Sequence, residues 1–172
     1  PWNTPSAHCY GTGLLADPSG LIDDIMATAA SIDIPIETTS TEYDSAQFEL
    51  TVRYDDALVA IDNSFLLKLL CREKAIEHGL MITFLGRPFN DRGGNGLHIN
   101  LSLTDSEGSN LLYDPDGNNN LSQLARHAIT GLLAHHEALT AICAPTVNSY
   151  KRLFSGQLSG YWANWGYDHR SV

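Results

Sequence analysis

The stretch Gln47-Phe48-Glu49-Leu50-Thr51-Val52-Arg53-Tyr54 alternates without a break. Phe48, Leu50, Val52 and Tyr54 fall on one side of an extended chain, and Gln47, Glu49, Thr51 and Arg53 on the other, because successive side chains of a strand point to opposite faces. One apolar and one polar face describe a strand that covers a core on one side only, as antiparallel sheets do. Residues 97–103 repeat the pattern, with Leu97, Ile99, Leu101 and Leu103 opposite His98, Asn100 and Ser102. Residues 80–85 form a continuous apolar run, which predicts a strand buried on both faces.

Helical periodicity lies around these strands. Asp17-Pro18 reads as an N-cap followed by proline at the first helical position, with Leu21, Ile22, Ile25 and Ala29 as the apolar stripe. A second helix is expected from Asp55-Asp56 to Gly79, with Leu58, Ile61, Phe65, Leu69 and Ile76 on its inner face. A third is expected over residues 121–142, with Leu124, Ala128, Leu132 and Leu139 inward, and a short fourth after Pro145. Helices interleaved with these strands predict an α+β fold, its mostly antiparallel sheet packed on helices at one face.

The composition excludes some functions. The 172 residues carry 10 Lys and Arg against 20 Asp and Glu, a formal charge of -10. Binding to a nucleic-acid backbone needs clustered cations, so no nucleic acid is expected as a partner. Apolar runs fall short of the roughly 18 residues that span a bilayer, so no membrane association is expected either. Cys9, Cys71 and Cys143 are odd in number and widely spaced, which fits neither a disulfide framework nor a zinc site, and a cytoplasmic location is expected.

Three motifs carry less than they first suggest. Gly93-Gly94-Asn95-Gly96 lacks the Lys-Ser/Thr of a phosphate-binding loop and reads as a tight turn. Asp114-Pro115-Asp116-Gly117-Asn118 has its glycine two places too early for a calcium loop, and Ala125 stands where that loop needs Glu. It reads as a turn leading into a helix cap. His135-His136-Glu137 has Thr140 in place of a second zinc-ligating His, so these read as exposed helix residues. The polar strand faces hold more. Glu49 on one strand, His98 on another and Glu42 just upstream could gather over one surface, and such a donor set suits Mg²⁺ or Mn²⁺. The plainer alternative is a solvated sheet face.

Three segments in order resemble the glutamine synthetase family. Glu42-Tyr43-Asp44-Ser45-Ala46-Gln47-Phe48-Glu49 is similar to E-x-x-x-(G/A)-Q-x-E. Phe84-Leu85-Gly86-Arg87-Pro88, followed by Gly94-Asn95-Gly96-Leu97-His98, is similar to F-M-x-K-P and G-S-G-M-H. Pro145-Thr146-Val147-Asn148-Ser149-Tyr150-Lys151-Arg152-Leu153 is similar to P-T-x-N-S-Y-K-R-L. The resemblance implies a curved, mostly antiparallel sheet with helices on one face. It also implies an ATP-dependent ligase that joins glutamate to ammonia or an organic amine through γ-glutamyl phosphate. It assigns Glu42 and Glu49 to one Mg²⁺ or Mn²⁺ ion and His98 to a second. Glu37, Asn100, Leu101 and Ser102 match ATP contacts, Gly94 and Arg152 match groups that hold glutamate, and Arg170 matches an arginine beside the transferred phosphoryl group. It implies a homo-oligomeric ring of dodecameric type in the parent protein.

The sequence departs from the family at informative places. The family's further metal-binding glutamates and arginines lie outside these residues, so residues 1–172 are expected to be a single incomplete catalytic domain, inactive alone. The flap glutamate that helps bind ammonium is Leu158, an asparagine near the glutamate amine is Gly93, and an ATP-site histidine is Asn100. Tyr161, Trp162 and Trp165 lie near Leu158 in sequence, and an organic amine could pack on them. A non-catalytic relative that keeps the ring fold is the competing expectation.

Overall fold

A computed structural model describes residues 9–154, 159–160 and 162–167. The chain forms two units, residues 1–84 and 85–172. Arg170, Leu158 and Tyr161 lie outside the described residues.

The first unit is built on helix α1 (Leu21–Ser31), strands β1 (Ile36–Thr41) and β2 (Phe48–Val52), and helix α2 (Ala57–Glu77). Leu21, Ile22, Ile25 and Ala29 of α1 are buried, as their spacing predicts. The helix begins later than expected, after Gly20 in the left-handed region at φ 68°. Asp17 nonetheless acts on it from outside: its carboxylate accepts the Ile22 N–H at 2.7 Å and the Ser19 hydroxyl at 2.7 Å.

The strands β1 and β2 pair antiparallel in the register Thr41↔Phe48, Ser40↔Glu49 and Thr39↔Leu50, with a bulge between Ile36 and Thr38. Phe48, Leu50 and Val52 pack on the core, so the apolar face of the alternating stretch is the inner one. The pairing runs one step further, where Glu42 N–H donates to the Gln47 carbonyl at 2.8 Å. Ala46, at φ 56°, turns the chain there. Thr41 is a buried polar residue. Its hydroxyl accepts the Gly11 N–H at 2.6 Å, and its carbonyl accepts the Tyr10 N–H at 2.9 Å.

Helix α2 is capped by Asp56, whose carboxylate accepts the Leu58 N–H at 3.1 Å, and the chain leaves it through Gly79 at φ 65°. Its inner face differs from the expected one. Leu67, Cys71 and Ala75 are buried, whereas Leu58 (73%), Phe65 (70%), Ile61, Leu69 and Ile76 are exposed. The helix is apolar on two sides, and the side with the smaller residues Cys71 and Ala75 packs in the core with the α1 residues. Asp24 of α1 ties the pair together, with Lys74 Nζ at 3.3 Å and His78 Nε2 at 2.9 Å. Burial pushes the Cys71 thiol up to about 11, so it stays protonated and inert.

The expected strands at residues 80–85 and 97–103 carry no strand assignment among the described residues, where the sheet has two strands. Leu80, Ile82 and Phe84 pack on the first unit's core, but Met81 is 96% exposed, so the run is buried on one side only. Lys68 and Arg72 of α2 lie over the Phe84 ring, 5.6 and 5.7 Å from its centroid. Residues 97–103 carry neither helix nor strand assignment and are exposed on both sides. A strand assignment needs a hydrogen-bonded partner backbone as well as an alternating pattern.

The second unit continues through bridges at Thr104↔Asn110 and Tyr113↔Leu121 to helices α3 (Gln123–Ala134), α4 (His136–Cys143) and α5 (Val147–Phe154). The helix expected over 121–142 is thus two, broken at His135, which has φ -112° and ψ 15°. Ser122 caps α3 by accepting the Ala125 N–H at 3.1 Å. Ala125 is the buried residue of α3; Leu124 and Leu132, expected inward, are exposed. The Asp114 stretch is the expected turn: its carboxylate accepts the Asp116 N–H at 3.0 Å. His135, His136 and Glu137 are exposed, also as expected.

Candidate functional site

In the first unit the hairpin places the two motif glutamates. Glu49 pairs with Ser40 and Glu42 with Gln47, so Glu42 and Glu49 are diagonal neighbours on the face turned away from Phe48 and Leu50. Diagonal neighbours of an antiparallel pair have Cβ atoms about 7–8 Å apart, within reach of long side chains. Both glutamates are half-buried. One Glu42 oxygen accepts the Tyr43 N–H at 3.1 Å. Glu37 is exposed, in the bulge at the far end of β1.

In the second unit the structure brings Gly94 and Arg152 together. A Cβ on Gly94 would stand 2.2 Å from Arg152 Cδ, 2.5 Å from its Nε and 2.6 Å from the Gly86 carbonyl oxygen. Only a residue without a side chain can let the guanidinium stem cross so close to its backbone. Gly86 gives similar room on the other side, since a Cβ there would lie 3.2 Å from Arg152 Cβ. Burial first, and the Arg87 guanidinium second, lower the Arg152 pKa. An arginine stays charged regardless. A cation that is partly desolvated and sits beside another cation is stabilised by an anion, and a carboxylate fits its planar fork with two parallel bonds.

His98, Asn100, Leu101 and Ser102 lie in the exposed stretch of this second unit that has no strand assignment. Among the described residues, three His, Cys, Asp or Glu side chains gather into a metal-holding group in neither unit. The structure therefore places Glu42 and Glu49 on one hairpin face and Arg152 against Gly94, and leaves His98 and Glu37 outside any metal-holding group within their own units, among the described residues. Trp162 and Trp165 are exposed, and the Trp165 and Tyr167 rings lie 6.0 Å apart at 59°.

The glutamine synthetase catalytic domain, as a family, matches residues 6–172. The chain belongs to that family. A glutamate–isopropylamine ligase of Pseudomonas sp is 30% identical over 97% of this chain and 36% of its own length. A glutamine synthetase of Pyrococcus abyssi is 44% identical over 79% of this chain and 30% of its own. A solved structure described as apo GmaS without ligand superposes with a TM-score of 0.82 at 33% identity, covering 92% of this chain and 38% of that one. The chain thus spans about a third of the length of these relatives. The glycine-rich stretch 93–96, expected as a tight turn, carries no turn assignment, and Gly94 there meets an arginine far along the sequence. Sequence reasoning assigned no role to Asn148, Asn95 or Gly86, although all three lie inside the same motifs. Asn148 bonds the Arg87 backbone, Asn95 bonds the Gly86 and Leu85 carbonyls, and Gly86 leaves room beside the Arg152 stem. The signal available for Asn148 was its place four residues before Arg152, on the same side of one helix.

Proposed function

We propose that residues 1–172 are one incomplete catalytic domain of an ATP-dependent ligase that joins the γ-carboxyl of glutamate to an amine. The observation that carries this reading is the seating of Arg152 across Gly94, with Arg87 as a second cation nearby. In this reading Gly94 and Arg152 hold glutamate, and Glu37, Asn100, Leu101, Ser102 and Arg170 contact ATP. Glu42 and Glu49 hold one Mg²⁺ or Mn²⁺ ion and His98 helps to hold a second. The two hairpin carboxylates are hard oxygen donors on one face, a chemistry that fits either ion. A bound ion supplies neutralisation of phosphate charge, and the chain's own groups supply positioning, which is most of what phosphoryl transfer requires. In the complete domain the sheet is larger, curved and mostly antiparallel, with helices on one face, and the alternating run at 97–103 becomes one of its strands. The parent protein is a cytoplasmic ring of identical subunits.

The amine is organic in this proposal. Leu158 stands where a carboxylate would attract ammonium, and the exposed rings of Trp162 and Trp165 follow closely. Apolar and aromatic surface favours an alkyl or aryl amine over ammonia. A relative that matches across most of the chain is named for isopropylamine. The test is phosphate release by the full-length parent with ATP, Mg²⁺ and glutamate, offered ammonia and a panel of alkyl, hydroxyalkyl and aryl amines. Faster turnover with an organic amine is expected. Equal or faster turnover with ammonia contradicts the amine assignment, and release with none of them favours a non-catalytic relative.

A further inference from the structure

Arg152 projects from α5 toward a loop more than fifty residues earlier in the chain, so its placement against Gly94 depends on what holds that loop to the helix. The holding group is the side-chain amide of Asn148. Its Oδ1 accepts the Arg87 N–H at 2.8 Å, and its Nδ2 donates to the Arg87 carbonyl at 2.7 Å. One primary amide thereby satisfies both backbone groups of one residue, as a neighbouring strand would, and an ionised carboxylate, which only accepts, cannot do both. Asn95 completes the fixture from inside the loop: its N–H donates to the Gly86 carbonyl and its Nδ2 to the Leu85 carbonyl, each at 2.8 Å.

We propose that Asn148 is a positioning residue for glutamate recognition: its amide clamps the Arg87 backbone to α5 and so sets the distance at which Arg152 crosses Gly94. This rests on the ligase reading above. Asn148 and Arg152 are four residues apart on one helix face, so the clamp and the guanidinium share one rigid support. Without the clamp the loop is free to withdraw from the helix, and the Gly94 backbone and the Arg152 fork no longer present themselves to one carboxylate together.

The test uses the full-length parent protein with Asn148→Asp, which keeps the shape and the acceptor but loses the donor, and Asn148→Ala, which loses both. Loss of one or two such bonds predicts about a five- to tenfold rise in the KM for glutamate, larger for Asn148→Ala, with the KM for ATP within about twofold. A purely structural role would move both constants and the melting temperature together, and that result, or an unchanged glutamate KM, overturns the proposal. The wild-type protein supplies a measurement free of folding defects: glutamate should slow hydrogen exchange at the Arg87 amide, and no slowing also overturns it. Arg152→Ala separates the two ideas. An unaffected glutamate KM in that variant removes the ligase reading itself, whereas an affected one beside an unaffected Asn148→Asp removes only the clamp.

Discussion

Arg152 lies across the backbone of Gly94 so closely that an added methyl group would stand 2.2 Å from its Cδ. Two residues from different motifs thus make one feature, a glycine backbone with the stem of a charged side chain laid over it. The glycine is required there for space; its freedom of backbone conformation is secondary.

Gly94→Ala tests that relationship. The new Cβ also meets the Gly86 carbonyl oxygen at 2.6 Å, which is backbone and cannot swing aside. Arg152 must leave or the loop must shift, at a cost of about 1–3 kcal/mol. The full-length parent carrying Gly94→Ala should show at least about a tenfold loss of kcat/KM for glutamate. Steady-state kinetics at varied glutamate checks it.

Asp24 gives the first unit a pH dependence with a definite sign. The hydrogen bond from His78, and then contacts with Lys74, hold its carboxyl below the usual carboxylate range despite opposing desolvation. A depressed folded-state pKa contributes stability above the unfolded value of about 3.9 that is lost as pH falls through the folded value. The urea midpoint of the chain should therefore fall below about pH 4, and Asp24→Asn should flatten that part of the profile. An unchanged slope in Asp24→Asn would remove this contact from the account.

The two sides of α2 should respond differently to truncation. Leu67 lies on the inner side of α2 and is 7% exposed in the core, so Leu67→Ala should cost about 2–5 kcal/mol. Phe65 lies on the outer side, so Phe65→Ser in residues 1–172 should change stability by less than about 0.5 kcal/mol. Denaturant unfolding of both variants checks the assignment of faces.

How far the sequence disclosed all this depended on where each residue's partner lay. The stripe of α1 was readable because Leu21, Ile22, Ile25 and Ala29 are its apolar side and the core takes that side. Helix α2 misled because it has two apolar sides, and close packing selected Cys71 and Ala75 over the larger residues opposite. The outward face of Glu49 was readable because alternation fixes it locally, whereas Glu42 shares that face through the pairing of β1 with β2, a tertiary fact. Residues 97–103 have the same alternation but no partner strand among the described residues, so the pattern alone did not make a strand. Gly94 and Arg152 came from motif resemblance, and their contact is a tertiary fact. Asn148 was silent because its amide bonds to the backbone of a residue 61 positions away, which no periodicity records.

The most direct test of the account removes one residue from each unit of the full-length parent, Glu49→Gln from the hairpin and Arg152→Ala from α5, and measures γ-glutamyl amide formed per ATP consumed. The account predicts that wild type forms one amide per ATP only when glutamate, amine and Mg²⁺ or Mn²⁺ are all present, and that each substitution lowers the rate by at least about a hundredfold. Full amide formation by either variant, or ATP consumption by wild type that ignores glutamate, would contradict it.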